Sequence, residues 1–132
     1  MACWHRETGM PYLRFKGFDE NFLRENASLF VEEFARVAEV PREKVKIELL
    51  PVIRITATPR SLEIFMFPRG RGMHDLIAET MDTLLNHFGI QGVHIFFIPL
   101  APRLYYKEGQ PLKHISWLPS YEADDIETTV EN

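Results

Sequence analysis

The chain has 132 residues, of which 45% are hydrophobic and 26% charged, and its formal net charge is −4 at pH 7. This is one globular domain's worth of chain, and its acidic balance argues against a nucleic-acid partner, which calls for a basic surplus or stripe. Cys3 is the only cysteine, which excludes an intrachain disulfide and a cysteine-based metal cluster. No apolar run approaches the roughly 20 residues of a membrane helix, and Met1–Gly9 lacks the apolar core of a secretory signal. A cytoplasmic protein with no membrane partner is expected.

Met10–Lys16 reads as a short strand, with Leu13 and Phe15 on one side and Tyr12, Arg14 and Lys16 on the other. Pro11 suits the beginning of such a strand, where no ladder N–H is lost. If translation began at Met10 and the methionine were removed, Pro11 would carry a free secondary amine. Behind Met1–Gly9 the same nitrogen is an amide. Gly17-Phe18-Asp19 makes a turn with Asp19 as the N-cap. Leu23, Ala27, Phe30, Phe34 and Val37 then form one apolar stripe of a long helix. Pro41 stops that helix. Lys44–Leu50 alternates with Val45, Ile47 and Leu49 inward, Pro51 ends it, and Val52–Thr56 is a candidate for a further short strand before the Thr58-Pro59-Arg60 turn.

The pattern repeats. Leu62–Phe67 is a strand, Pro68-Arg69-Gly70-Arg71-Gly72 a tight turn, and Met73, Ile77, Met81, Leu84 and Phe88 mark a second amphipathic helix closed by Gly89 as a C′ glycine. Val93–Ile98 is a strand ending at Pro99. Tyr12–Pro51 and Leu62–Pro99 are thus two copies of one strand–helix–strand–proline unit. The expected class is α+β: two βαβ units, each with parallel strands and a right-handed crossover, side by side in a four-stranded mixed sheet with both helices on one face. The second unit's strands are apolar on both sides, the mark of strands buried on both faces. No third layer of helices remains to cover them, so another subunit is expected to do so. Leu104–Leu112 reads as a hairpin or edge segment around Glu108-Gly109. The domain is expected to span residues 10–112, preceded by an extension (1–9) and followed by an acidic, flexible tail (113–132) in which Trp117 and Leu118 either dock on a neighbour or anchor to the surface.

The proline-headed strand, the two βαβ units and the words Met10-Pro11 with Leu13-Arg14-Phe15, Glu48-Leu49, Glu63 with Phe67, Phe97-Ile98-Pro99-Leu100 and Tyr105-Tyr106 with Gly109 resemble the tautomerase superfamily, which includes 4-oxalocrotonate tautomerase and macrophage migration inhibitory factor. They are most similar to a small, uncharacterised bacterial branch of it. The resemblance implies a homotrimer whose three sheets form a central barrel, with a pocket around each proline at a subunit boundary. It also implies cofactor-free chemistry on a small enolisable carboxylic acid, in which a terminal proline is the general base, or an acid or nucleophile in dehalogenase and decarboxylase relatives. Pro11 is the matching position. A secondary amine whose pKa is lowered by an apolar pocket and nearby cations is neutral and basic near pH 7. With Met1–Gly9 attached, Pro11 has no such amine, and the alternative is a non-catalytic oligomeric binding protein.

Arg69 and Arg71 stand between a strand end and a helix start, where free N–H groups and two guanidinium groups suit a carboxylate. The alternative is a solvated turn whose arginines meet surface acids. Arg14, beside Pro11, either binds an anion or pairs with Glu48 or Glu63 across the sheet, and pairing is the stronger expectation. Relatives often complete a neighbour's pocket where Tyr105 and Tyr106 lie, which offers one tyrosine as a donor to an enolate and the other for packing. An aromatic edge at the subunit boundary is the alternative. The five histidines show no ligand spacing, so no metal is expected. His94 reads as a hydrogen-bonded interior residue. Gly70 and Gly72 do not make a nucleotide loop, because the spacing is short and no Walker lysine follows.

Overall fold

A computed structural model describes residues 11–112. Met10, the extension and the acidic tail with Trp117 and Leu118 lie outside the described residues. The chain runs β1 (Tyr12–Lys16), α1 (Glu20–Ala38), a 3₁₀ turn (Arg42–Lys44), β2 (Lys46–Leu50), β3 (Ser61–Met66), α2 (Arg71–His87), β4 (His94–Pro99), a second 3₁₀ turn (Pro102–Leu104), and the two-residue strands β5 (Tyr106–Lys107) and β6 (Gln110–Pro111).

Four strands form one sheet in the order β2-β1-β3-β4. β1 pairs parallel with β2 and antiparallel with β3, and β3 pairs parallel with β4. The two βαβ units therefore meet along the β1–β3 ladder, as the repeat implies. Register aligns the inward residues: Leu13 stands between Ile47 and Ile64, and Phe15 between Leu49 and Leu62. Both helices cover this face. Leu13, Phe15, Leu62 and Ile64 are fully buried with Phe30 and Phe34 of α1 and Ile77, Met81 and Leu85 of α2. The Phe15 ring meets Phe18 and Phe30 edge-on at 5.1 and 5.4 Å, a geometry that adds to the area each ring buries.

Helix ends follow local chemistry. The Asp19 carboxylate accepts the Phe22 N–H at 2.9 Å and caps α1. At the end of α2, Gly89 adopts φ +79° and the Ile90 N–H reaches the Leu85 carbonyl at 3.0 Å, a Schellman closure. α1 closes in the same way, with Val40 N–H on the Ala35 carbonyl at 3.2 Å, but the left-handed position is filled by Glu39 at φ 60°. Glu108 (φ 54°) and Gly109 (φ 77°) turn the β5–β6 hairpin, as two successive left-handed residues do in a type I′ turn.

Three expectations are corrected. Val52–Thr56 forms no strand; the whole of 51–60 is exposed and irregular, with Ile53 and Ile55 87% and 88% accessible. An extended segment becomes a strand only when it finds a ladder partner, and this one has none among the described residues. Arg71 and Gly72 belong to α2, so the turn before it is shorter than the sequence suggested. His94 is exposed: its backbone N–H reaches the Arg60 carbonyl at 3.0 Å, but its side chain forms no hydrogen bond with a described residue. Within the single chain β3 is buried on its helix-facing side, where Ile95 and Phe97 of β4 are half-buried. On the other face, which no element of the described chain covers, Phe65 and Ile98 are half-buried and Phe96 is 47% exposed.

Two substitutions test this account by equilibrium unfolding. Phe30→Ala, at a fully buried position, is expected to cost about 3–5 kcal/mol. Glu39→Gly should stabilise by about 1 kcal/mol, the strain of a side chain in the left-handed region. A neutral Phe30→Ala or a destabilising Glu39→Gly would contradict the packing and the cap respectively.

Candidate active site

Strand polarity gathers the candidate residues at one edge of the sheet. β1 starts where β3 and β4 end, because Tyr12 faces Phe65 in the antiparallel ladder and Met66 faces Pro99 in the parallel one. Pro11 precedes β1, is buried, and its carbonyl accepts the Lys46 N–H at 3.0 Å. Extended by one residue, the β1–β3 register sets Pro11 level with Met66. Next along the chain come buried Phe67 and Pro68, then Arg69, Gly70 and the first turn of α2.

The two tyrosines separate. Tyr105 follows the second 3₁₀ turn and is half-buried, with its ring edge-on to Phe67 at 5.4 Å. Burial, and next the neighbouring Tyr12, raises its pKa above the usual 10.0, so its phenol keeps the proton and remains a donor. Tyr106 projects from β5 and is 57% exposed. Tyr105 and Phe67 therefore lie at the edge that Pro11 opens, with Tyr106 further out.

The two turn arginines also separate. The Arg69 guanidinium donates through Nη1 to the Ala38 carbonyl at 3.0 Å, capping α1 where its carbonyls lack partners. Arg71 is the first residue of α2, exposed, and forms no side-chain bond with a described residue. Gly70 caps α2 without a side-chain bond, and no acid occupies the first turn. That helix end presents its positive pole, with Arg71 on it, and no carboxylate from its own first turn to balance them. Such an end attracts anions.

Arg14 is engaged on the open sheet face. Its Nε donates to Glu48 Oε1 at 2.8 Å, and its guanidinium lies 4.6 Å from the centre of the Phe65 ring. Lys16 pairs with Glu63 at 2.8 Å beside it. The expected cross-strand pairing is present. The Arg14–Glu48 pair is over a third exposed on both sides, so it contributes at most about 1 kcal/mol.

Sequence reading did not single out His74. Its Nε2 accepts the Arg69 backbone N–H at 2.9 Å, and its ring meets Phe97 of β4 edge-on at 4.5 Å. Nδ1 is buried with no hydrogen bond among the described residues. Burial, more than any other cause, lowers its pKa below the usual 6.5. A histidine four residues past a glycine cap has no motif to announce it, and only the folded turn brings ring and N–H together.

A family model described as "Domain of unknown function (DUF1904)" matches residues 10–111. No curated protein matches the sequence significantly. Among solved structures, a protein of unknown function from Vibrio cholerae is 23% identical over 80% of this chain and 89% of that one, with a TM-score of 0.70. A macrophage migration inhibitory factor-like protein from Entamoeba histolytica is 14% identical over 76% of this chain and 97% of its own, with a TM-score of 0.62. A fused 4-OT, described as an asymmetric trimer, is 14% identical over 80% and 98%, with a TM-score of 0.61. At these identities the likeness speaks for the fold. The chain belongs to the DUF1904 family and has the fold of the tautomerase superfamily.

Proposed function

We propose that this chain holds a small enolisable carboxylic acid at the proline edge of its sheet, and isomerises it without a cofactor when Pro11 is the terminal residue. The observation that carries this reading is the burial of Pro11 at the edge that also bears Tyr105 and the positive end of α2. Arg71 takes the substrate carboxylate, and Arg69, tied to Ala38, shapes the turn beneath it. Burial favours the uncharged form of a terminal Pro11 amine. In ketonisation the enol hydroxyl loses a proton and a carbon gains one. The amine accepts the first and returns it to carbon, while the Tyr105 phenol donates a hydrogen bond to the enolate oxygen between the two transfers.

A second reading has its own observation. Met10 precedes Pro11 in the sequence, and while that peptide bond is intact the ring nitrogen is an amide, neither base nor nucleophile. In that form the same edge is a binding site without turnover. In both readings the working domain is residues 10–112 and the assembly a homotrimer. Phe65, Phe96 and Ile98 on the open sheet face support this, because exposed apolar surface on a sheet is costly until another copy covers it. Tyr106, exposed on its hairpin, is then available to a neighbour's pocket.

Light scattering should give a mass three times that of the chain; a stable monomer at micromolar concentration would refute the assembly. Full-length protein should show negligible phenylpyruvate tautomerase activity, with activity appearing in a form whose first residue, verified by intact mass, is Pro11. In that form Pro11→Ala, which leaves a primary amine, should cost less than the roughly 10²-fold or more of losing a general base outright. Arg71→Ala should chiefly raise KM, by about 10- to 100-fold if one charged hydrogen bond to the carboxylate is lost. Equal turnover by an unprocessed full-length chain would rule out the proline mechanism. Failure of both forms with any enolisable acid would favour the binding protein.

A further inference from the structure

The turn from Pro68 to Gly70 is held from two sides. On one side the Arg69 side chain reaches the Ala38 carbonyl at the end of α1. On the other, the Arg69 backbone N–H donates to His74 Nε2 at 2.9 Å. The second bond imposes a protonation state, since a ring nitrogen that accepts an N–H cannot itself bear a proton. The neutral ring must therefore carry its proton on Nδ1, which is buried and without a partner among the described residues. Phe97 of β4 fixes the ring plane from the other side.

A second proton on this ring has no acceptor. It would set Nε2–H against the Arg69 N–H, two donors within hydrogen-bond distance, and give the ring a second unsatisfied N–H. The charged groups acting on the ring are the Arg69 guanidinium, which opposes an imidazolium, and Asp75 on its own helix, which favours one; β4 presents the Phe97 ring. The imidazolium relieves the clash by swinging out toward water, and the Arg69 N–H then loses its bond to His74.

We propose that His74 is a proton-sensitive latch and a positioning residue for the Pro68–Arg71 segment: the neutral ring holds the segment closed and the imidazolium releases it, loosening the seat of Arg71. The functional half of this inference rests on the reading of that segment as the carboxylate-binding element. The sign of the effect is diagnostic. An added positive charge by itself would strengthen anion binding at acid pH, whereas a released latch weakens it.

The test is an NMR titration of the full-length chain between about pH 7.5 and about pH 5.5, the range in which imidazole titrates, following the His74 ring and the Arg69 amide. Arg69 amide protection, corrected for intrinsic exchange, should fall by about five- to tenfold, the worth of one hydrogen bond, with the midpoint of the ring. In His74→Gln, which keeps an acceptor that cannot titrate, protection should not change with pH. In His74→Ala it should be low throughout. The ring's pKa lies below 6.5 in the folded chain, so the stability contributed by its neutral form is complete above about 6.5. It is lost as pH falls through the folded midpoint, and the His74→Gln variant should lack that slope. Phenylpyruvate, ionised throughout, should bind the wild type more weakly at the acid end. An Arg69 amide that stays protected while the ring is charged, a His74→Gln variant with the wild-type pH dependence, or tighter phenylpyruvate binding in acid would each overturn the latch. If the amide follows the ring but phenylpyruvate binds at neither pH, the latch stands and the carboxylate reading falls.

Discussion

The antiparallel ladder between β1 and β3 is the contact on which the rest depends. It is where the two βαβ units join, and its register decides two things at once. Toward the helices it brings Leu13 and Phe15 level with Ile64 and Leu62, so that one apolar layer runs unbroken under both helices. Along the strand it places the start of β1 beside the end of β3, so that Pro11 meets the segment leading into α2. A slip of one residue would turn Leu13 and Phe15 outward and separate the proline from that segment. Core and candidate site are therefore fixed by the same pairing.

Residues that alternate or recur at helical spacing were legible, because periodicity reports which side is buried whatever the partner. Leu13 and Phe15, Phe30 and Phe34, and Ile77 and Met81 all lie where their spacing put them. The Gly89 closure was legible because a glycine after a helical stripe has few other uses. The matching closure at Glu39 was hidden, since nothing in a glutamate signals a left-handed backbone. Val52–Thr56 has the composition of a strand, but strand formation is decided by a partner and composition cannot supply one.

The candidate site was legible in outline only. Arg69 and Arg71 look equivalent two residues apart, yet one lies under the end of α1 and the other is exposed on the first turn of α2. The difference comes from where the helices end in space. Tyr105 and Tyr106 part for a similar reason: one falls against Phe67 and the other on an exposed hairpin. His74 shows the limit most clearly, because its partner is a backbone N–H, which every residue but proline possesses.

The bond from Arg69 to Ala38 also means that two helix ends of opposite polarity lie side by side. The last carbonyls of α1 and the first amides of α2 share one edge of the sheet. The poles oppose each other, but the Arg69 guanidinium sits on the negative one and Arg71 beside the positive one, so two full cations accompany these half-charge poles. Close in, they set up a steep gradient of potential across a few ångströms. An anion with one neutral end would experience that gradient as a torque turning its charged end toward α2. On the proposed function, the junction of the helices would thus help to orient the carboxylate, the backbone poles acting together with the arginine side chains.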